Sequence, residues 1–233
     1  MAGLWWLAAP GPASAQRGGK QSARDLFYAE AGLIVSPDTS HKGKFAAVKK
    51  SVVAVALGVK YRIWKVVGGA AAEADPAGTF TQGDSIRLGV EINDTGYLYI
   101  VRRQSSGRWR RVFPTPEIEH GNHFVRSGVI YPIPPEEGLD LSFPSGTERL
   151  FLVLSRSPVK NLEVLVGPRQ PDNTVSAAPD PEIPDAVVET VRALASPKDL
   201  LTERTPGEKA VYVVNRTGRP DSLVVVEIRL SSR

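Results

Sequence analysis

The sequence predicts a mainly β protein, an antiparallel, Ig-like β-sandwich of seven to eight strands with one connecting helix. Three observations predict it. From Val52 onward apolar residues recur mostly at every second position, the period of a half-buried strand. Turn residues break this pattern at short intervals, as they do between the strands of a sandwich or an open barrel. One segment alone, Glu182 to Ala195, repeats with the period of a helix.

The strand candidates begin with Val55 to Val66. Ile86, Leu88, Val90 and Ile92 then alternate with Arg87, Gly89 and Glu91. Asn93-Asp94-Thr95-Gly96 follows, an Asx-rich turn ending in glycine that is expected to close a tight hairpin. Tyr97 to Arg103 is apolar on both faces, which predicts a strand covered on both sides. Gln104-Ser105-Ser106-Gly107 leads into Arg108 to Phe113 and completes an expected β-meander. Further strands are read at Val129 to Ile133, Arg149 to Leu154, Lys209 to Val214 and Leu223 to Leu230. The turn-rich stretch Asn215 to Pro220 makes the last two a closing hairpin. In the helix, Ile183, Val187, Val191 and Leu194 share one face, with Asp180 as N-cap and Pro181 in the first turn.

The chain has 233 residues, 42% of them hydrophobic and 23% charged, and no cysteine. That composition is globular, and the missing thiols exclude disulfides, thiolate nucleophiles, cysteine–metal sites and lipid-modified cysteine anchors. The net charge of +4 is unevenly placed. Residues 1–65 hold ten basic and three acidic residues, whereas 66–233 hold 19 basic and 22 acidic. The basic character therefore belongs to the leading segment, and the body is mildly acidic.

Residues 1–15 carry no charge and join an apolar run, Ala2 to Ala9, to the small-residue ending Ala13-Ser14-Ala15. This resembles the back half of a secretory signal peptide without its basic leading region. The expectation is a truncated signal over 1–15, a flexible basic arm over 16–51, and a single β-sandwich domain over 52–233. No run reaches the roughly 18 apolar residues of a membrane span. The expected location is extracytoplasmic, periplasmic or secreted.

Thr79-Phe80-Thr81-Gln82-Gly83-Asp84-Ser85-Ile86-Arg87-Leu88, then Asn93-Asp94-Thr95-Gly96-Tyr97-Leu98-Tyr99-Ile100 and Val112-Phe113-Pro114, resemble a bacterial domain-of-unknown-function family, numbered four-three-eight-four. Gly128 to Pro134 and Gly146 to Ser155 continue the likeness, which spans about 61–166. The resemblance implies a β-sandwich module of secreted or membrane-attached proteins, sometimes joined to peptidase-like, kinase or repeat domains, and it supplies no catalytic residues. The motif residues have fold-making readings of their own. Gly83 and Asp84 make a turn ahead of a strand, Tyr97 and Tyr99 fill one strand face, and Phe113-Pro114 ends a strand.

Two clusters carry candidate chemistry. Arg102, Arg103, Arg108, Arg110 and Arg111 surround a hairpin tip with Trp109 among them and no acid from Gly96 to Phe113. With residue 103 opposite 108, Trp109 would stack on Arg102, and Arg103 would oppose Arg108. Such a tip suits phosphates or an anionic glycan. Its competitor is internal neutralisation by Glu117, Glu119, Glu136, Glu137, Asp140 and Glu148. His120-Gly121-Asn122-His123, near Glu117 and Glu119, is the one metal-like cluster, but its loop spacing enforces no common face and His41 lies in the arm. No metal or other cofactor is expected. The Asn93-Asp94 turn explains itself without calcium. No nucleophile elbow, phosphate loop or HExxH is present, and the adjacent Glu136 and Glu137 do not face each other as glycoside chemistry requires.

The function expected is that of a non-catalytic module binding a protein or cell-envelope component. An anionic polymer bound by the arginine tip is the alternative, and a hydrolase with an unrecognised site is a weaker one.

Overall fold

In the computed structural model, described over residues 21–29, 32–37, 48–53, 55–104, 106–143, 147–166, 181–205 and 207–232, the period-two segments become strands of two facing sheets. The signal-like residues 1–15, His41 and Asp180 lie outside the described residues. Chain order begins with α1 (Ala23–Phe27), β1 (Gly32–Pro37), β2 (Val48–Val53), β3 (Leu57–Val67), β4 (Ala70–Ala74), β5 (Thr79–Phe80), β6 (Ser85–Ile92), β7 (Gly96–Arg103) and β8 (Trp109–Phe113). It continues with β9 (Phe124–Val125), β10 (Ile130–Ile133), β11 (Leu139–Asp140), β12 (Thr147–Ser155), β13 (Glu182–Ile183), α2 (Asp185–Leu194), β14 (Leu200–Arg204), β15 (Val211–Asn215) and β16 (Leu223–Ser232). All eight expected strands are present, and shorter ones join them.

The first sheet runs β10-β6-β3-β15-β14, with β11 also on β6 and β4 also on β3. The second runs β13-β8-β7-β12-β16-β5, with β9 also on β7, and its one parallel pair is β16 with β5. β1 and β2 pair only with each other among the described strands. Between the sheets lies the main core, including Val59, Ile63, Leu88, Val90, Leu98, Ile100, Phe113, Leu152 and Ile228. Alternation along each strand sends every second residue into this layer.

Both sheets also bury apolar surface on their outer faces. On the second sheet, Tyr99, Val101, Trp109, Phe151 and Val153 pack under α2 and a 3₁₀ turn at Lys160–Leu165. That cover is why β7 and β12 read as nearly continuous apolar runs, as predicted for β7. On the first sheet, Ala56, Tyr212 and Val214 pack against Ala23 and Phe27 of α1.

Three expectations are corrected. β6 and β7 belong to different sheets, so Asn93 to Gly96 is a crossing between layers and no β-meander forms. β15 and β16 are likewise split between the sheets, so Asn215 to Pro220 is a second crossing in place of a closing hairpin. Asparagine at each crossing satisfies backbone of neighbouring strands. Asn93 Oδ1 accepts from the Gly58 N–H and its Nδ2 donates to the Ala56 carbonyl, both at 2.7 Å. Asn215 Nδ2 donates to the Leu223 carbonyl at 2.8 Å. The third correction is α2, which starts at Asp185 after Pro184, because Glu182 and Ile183 pair with β8 as β13. Its buried residues are Val188 and Val191, while Leu194 is exposed.

In the stretch expected to be an arm, α1 is held by a capping box. Ser22 Oγ accepts from the Asp25 N–H, and Asp25 accepts from the Ser22 N–H. A five-residue helix is too short to show a helical period, so its apolar patch at Leu26 to Tyr28 is all that stands out in the sequence.

Candidate functional site

The hairpin of β7 and β8 holds the arginine cluster. Its turn closes with the Gln104 N–H donating to the Arg108 carbonyl at 2.7 Å, which leaves Arg103 opposite Trp109 and Arg102 opposite Arg110. That register differs by one residue from the expected one, and a one-residue slip exchanges the faces. Trp109 therefore shares its face with Arg103 and Arg111. It is fully buried against Phe151 at a centroid separation of 6.0 Å, and its Nε1 donates to Asp185 Oδ1 at 2.7 Å. The guanidinium over its ring is that of Arg149, at 5.7 Å, and not that of Arg102.

Each arginine of the hairpin has a partner. Arg102 makes a bidentate pair with the fully buried Glu148 carboxylate, at 2.7 and 2.8 Å, and also bonds Ser142. Arg103 lies 3.6 Å from Asp185. Arg108 and Arg110 converge on one carboxylate, Glu182, at 2.9 and 3.7 Å. Arg111 donates to the Leu165 carbonyl at 3.1 Å. Of the acids expected to neutralise the tip, Glu148 does so. Glu182 and Asp185, at the entry to α2, supply the rest. Their signal in the sequence is an acid on each side of Pro184, masked there by the helical period. Elsewhere Glu117 bonds Thr115, Glu119 pairs with Arg126, the Glu136 carbonyl takes Arg87, and Asp140 pairs with Ser85 in the β11–β6 ladder.

The two histidines separate. His120 is exposed, in a 3₁₀ turn with φ of 55°. His123 is buried between Tyr97 and Tyr99, with Nε2 3.2 Å from Glu163 Oε1. The Tyr99 hydroxyl bonds the same carboxylate, and burial followed by that bond pushes its pKa well up. Among the described residues no group of three or more histidine or acidic side chains is placed to hold a metal ion. The crossing residue Asp94 pairs with Arg156 at 2.8 Å.

A second feature was not legible as a site. Where α1 meets the first sheet, Lys60 Nζ is buried between the Tyr28 hydroxyl at 2.9 Å and Glu91 Oε2 at 3.0 Å, and it lies 5.6 Å from the centres of the Tyr28 and Tyr212 rings. Burial opposes the Lys60 charge, but the hydrogen bonds it donates to Tyr28 and Glu91 outweigh that and hold its pKa above the ordinary value. The Tyr212 hydroxyl donates to Glu208, which also pairs with Arg24 at 2.8 Å. Beside this network opens a shallow cleft of about 420 Å³. Phe27, Tyr28, Ala29, Val55 and Ile92 give it apolar walls, and Glu91, Asn93, Ser127 and Gly128 give it polar ones. Tyr28 is half exposed at its rim, and the exposed Ile130 pairs in register with Glu91.

The order of turns and strands from β5 to β12 carries a family likeness. Residues 79–158 match the family model described as Domain of unknown function (DUF4384). No curated protein and no solved structure matches the chain. The matched segment supplies strands to both sheets, but β3 lies between β6 and β15, and β16 pairs with β12, so residues outside the segment complete the sandwich here. Its motif residues take the scaffold roles read from the sequence. Asp84 accepts from the Thr81 N–H and from Lys65 Nζ, both at 2.7 Å, after Gly83 turns with φ of 86°. Phe113 is buried in the main core.

Proposed function

We propose that the chain is a non-catalytic binding module of the bacterial cell envelope that holds a partner protein at the cleft beside α1. The observation that carries this reading is the cleft itself, apolar with a few fixed polar groups and open to solvent, the composition of a recognition surface. The uncharged opening run supports an extracytoplasmic setting. No helix among the described residues is long and apolar enough to cross a membrane. A photoreactive residue in place of Tyr28, compared in cells with one in place of the similarly exposed Val164 on the second sheet's outer layer, tests the site. A discrete cross-linked protein from position 28 and none from position 164 is expected. Equal patterns from both positions would overturn the cleft reading.

A second reading has its own observation. Arg108 and Arg110 share the single carboxylate of Glu182, and about half of each side chain is exposed. That leaves the tip with cationic excess for an anionic polymer. Affinity for duplex DNA followed against salt separates the readings, because each duplex phosphate that the protein neutralises adds about 0.9 to the steepness of the logarithmic salt dependence. A slope shallower by nearly 2 in R108S/R110S supports the tip, and an unchanged slope removes it.

A further inference from the structure

The edge of a sheet presents unpaired backbone donors and acceptors, and proteins blunt such edges with proline, lysine or shortness. Several edges here are blunted. β10 carries Pro132, with Pro134 and Pro135 just after it. β13 has two residues between Pro181 and Pro184, and β5, β9 and β11 have two residues each. On β4 the alternation turns the backbone of Ala71 and Glu73 outward, and the Glu73 carbonyl accepts Lys209 Nζ at 3.1 Å.

Like β16, whose outer side pairs with β5 only at Ser231 and Ser232, β14 differs from these. It has five residues without proline, and among the described strands it pairs with β15 alone. The Arg216 N–H donates to the Asp199 carbonyl at 2.9 Å, and these residues are opposite in the β14–β15 register. By alternation, Leu201 and Glu203 turn their backbone groups toward β15, and Leu200, Thr202 and Arg204 turn theirs outward. α1 covers the adjoining face, where Leu201 packs with its cluster and Glu203 accepts from the Arg24 N–H at 3.2 Å. The face is closed, and among the described residues the edge is open.

We propose that this edge receives a second copy of the chain, two β14 strands pairing antiparallel about a two-fold axis at Thr202. Self-complementarity commits the occupant. With the axis there, Leu200 of one copy faces Arg204 of the other, and Thr202 faces Thr202. All three outward residues then meet outward residues and exchange both backbone bonds. Glu203 stands opposite Leu201, so no like charges oppose each other. A shift of one residue sets outward groups against inward ones. The first sheet then runs unbroken through both copies, and the symmetric contact closes on itself. A five-residue pairing is small for a stable interface, so the dimer is weak and depends on concentration.

Sedimentation equilibrium of the full chain, from low micromolar to high micromolar concentration, tests this. A reversible monomer–dimer equilibrium is expected. Thr202→Pro removes an outward N–H that β15 does not use, and such edge positions accept proline. It should abolish the dimer and leave the circular dichroism spectrum and Tm unchanged. Thr202→Lys, which opposes two ammonium groups at the axis, should lose the dimer at low salt and regain it as salt screens them. Two results overturn the proposal, a wild-type chain that stays monomeric throughout, and a dimer that both variants leave intact.

Discussion

Gly96 is the first residue of β7, in a place where an added Cβ would lie 2.6 Å from the Ser155 carbonyl oxygen. Its requirement is close approach of two strands, where a hairpin turn would have asked for a left-handed backbone, and strand backbone cannot swing aside as a side chain can. Gly96→Ala should therefore cost about 1–3 kcal/mol, the usual range for overpacking, read as a lower urea midpoint at unchanged slope. Glu227 makes a different kind of prediction. Burial alone would raise its pKa, but hydrogen bonds from Arg229 and Arg149 and the charges of Arg149 and Arg192 hold it below its ordinary 4.5. A carboxylate depressed in the fold stabilises fully above its unfolded pKa and loses that contribution as pH falls through the folded one. Tm should thus decline below about pH 4.5, and E227Q should begin lower and decline less steeply over the same window.

Among the elements, α1 carries the cleft and is the easiest to detach. Only Ala23 and Phe27 are buried in it, so Phe27→Ala should cost about 3–5 kcal/mol locally. Hydrogen exchange should show protection lost from Ala23 to Tyr28 while β7 and β12 keep theirs. The long strands were legible because two-fold alternation and flanking turn residues are local properties. Which sheet a strand joins is not local. Asn93 to Gly96 and Asn215 to Pro220 have the composition of hairpin turns, but their asparagines bond neighbouring strand backbone and the chain crosses between layers. Strands of two residues, such as β5 and β13, have no period to detect. α1 announced itself only through Ser22, Asp25 and one apolar patch. The cleft escaped the sequence because it joins residues near 28, 92 and 128 that are adjacent only after folding.

At the scale of the whole molecule, the charge pattern explains itself by pairing. A net +4 with a mildly acidic body pointed toward an anionic partner through the arginine hairpin. The folded body answers those arginines from within, through Glu148, Glu182 and Asp185, and ties the outer layer of α2 to the second sheet through Asp185 and Trp109. Exposed pairs such as Arg108–Glu182 add little to stability. A buried pair behaves otherwise, because removing one partner strands a charge in a dry environment. The hairpin thus acts first as a joint of the fold. A double-mutant cycle between Arg102 and Glu148 in urea unfolding is the most direct measurement of that role. If the arginines serve the fold, Arg102→Ala should cost about 3–5 kcal/mol, and the cycle should return a coupling of roughly 1.5–3 kcal/mol. A coupling near zero, with both single variants as stable as the wild type, would show that the pair holds nothing and that the hairpin's charge is free for a ligand.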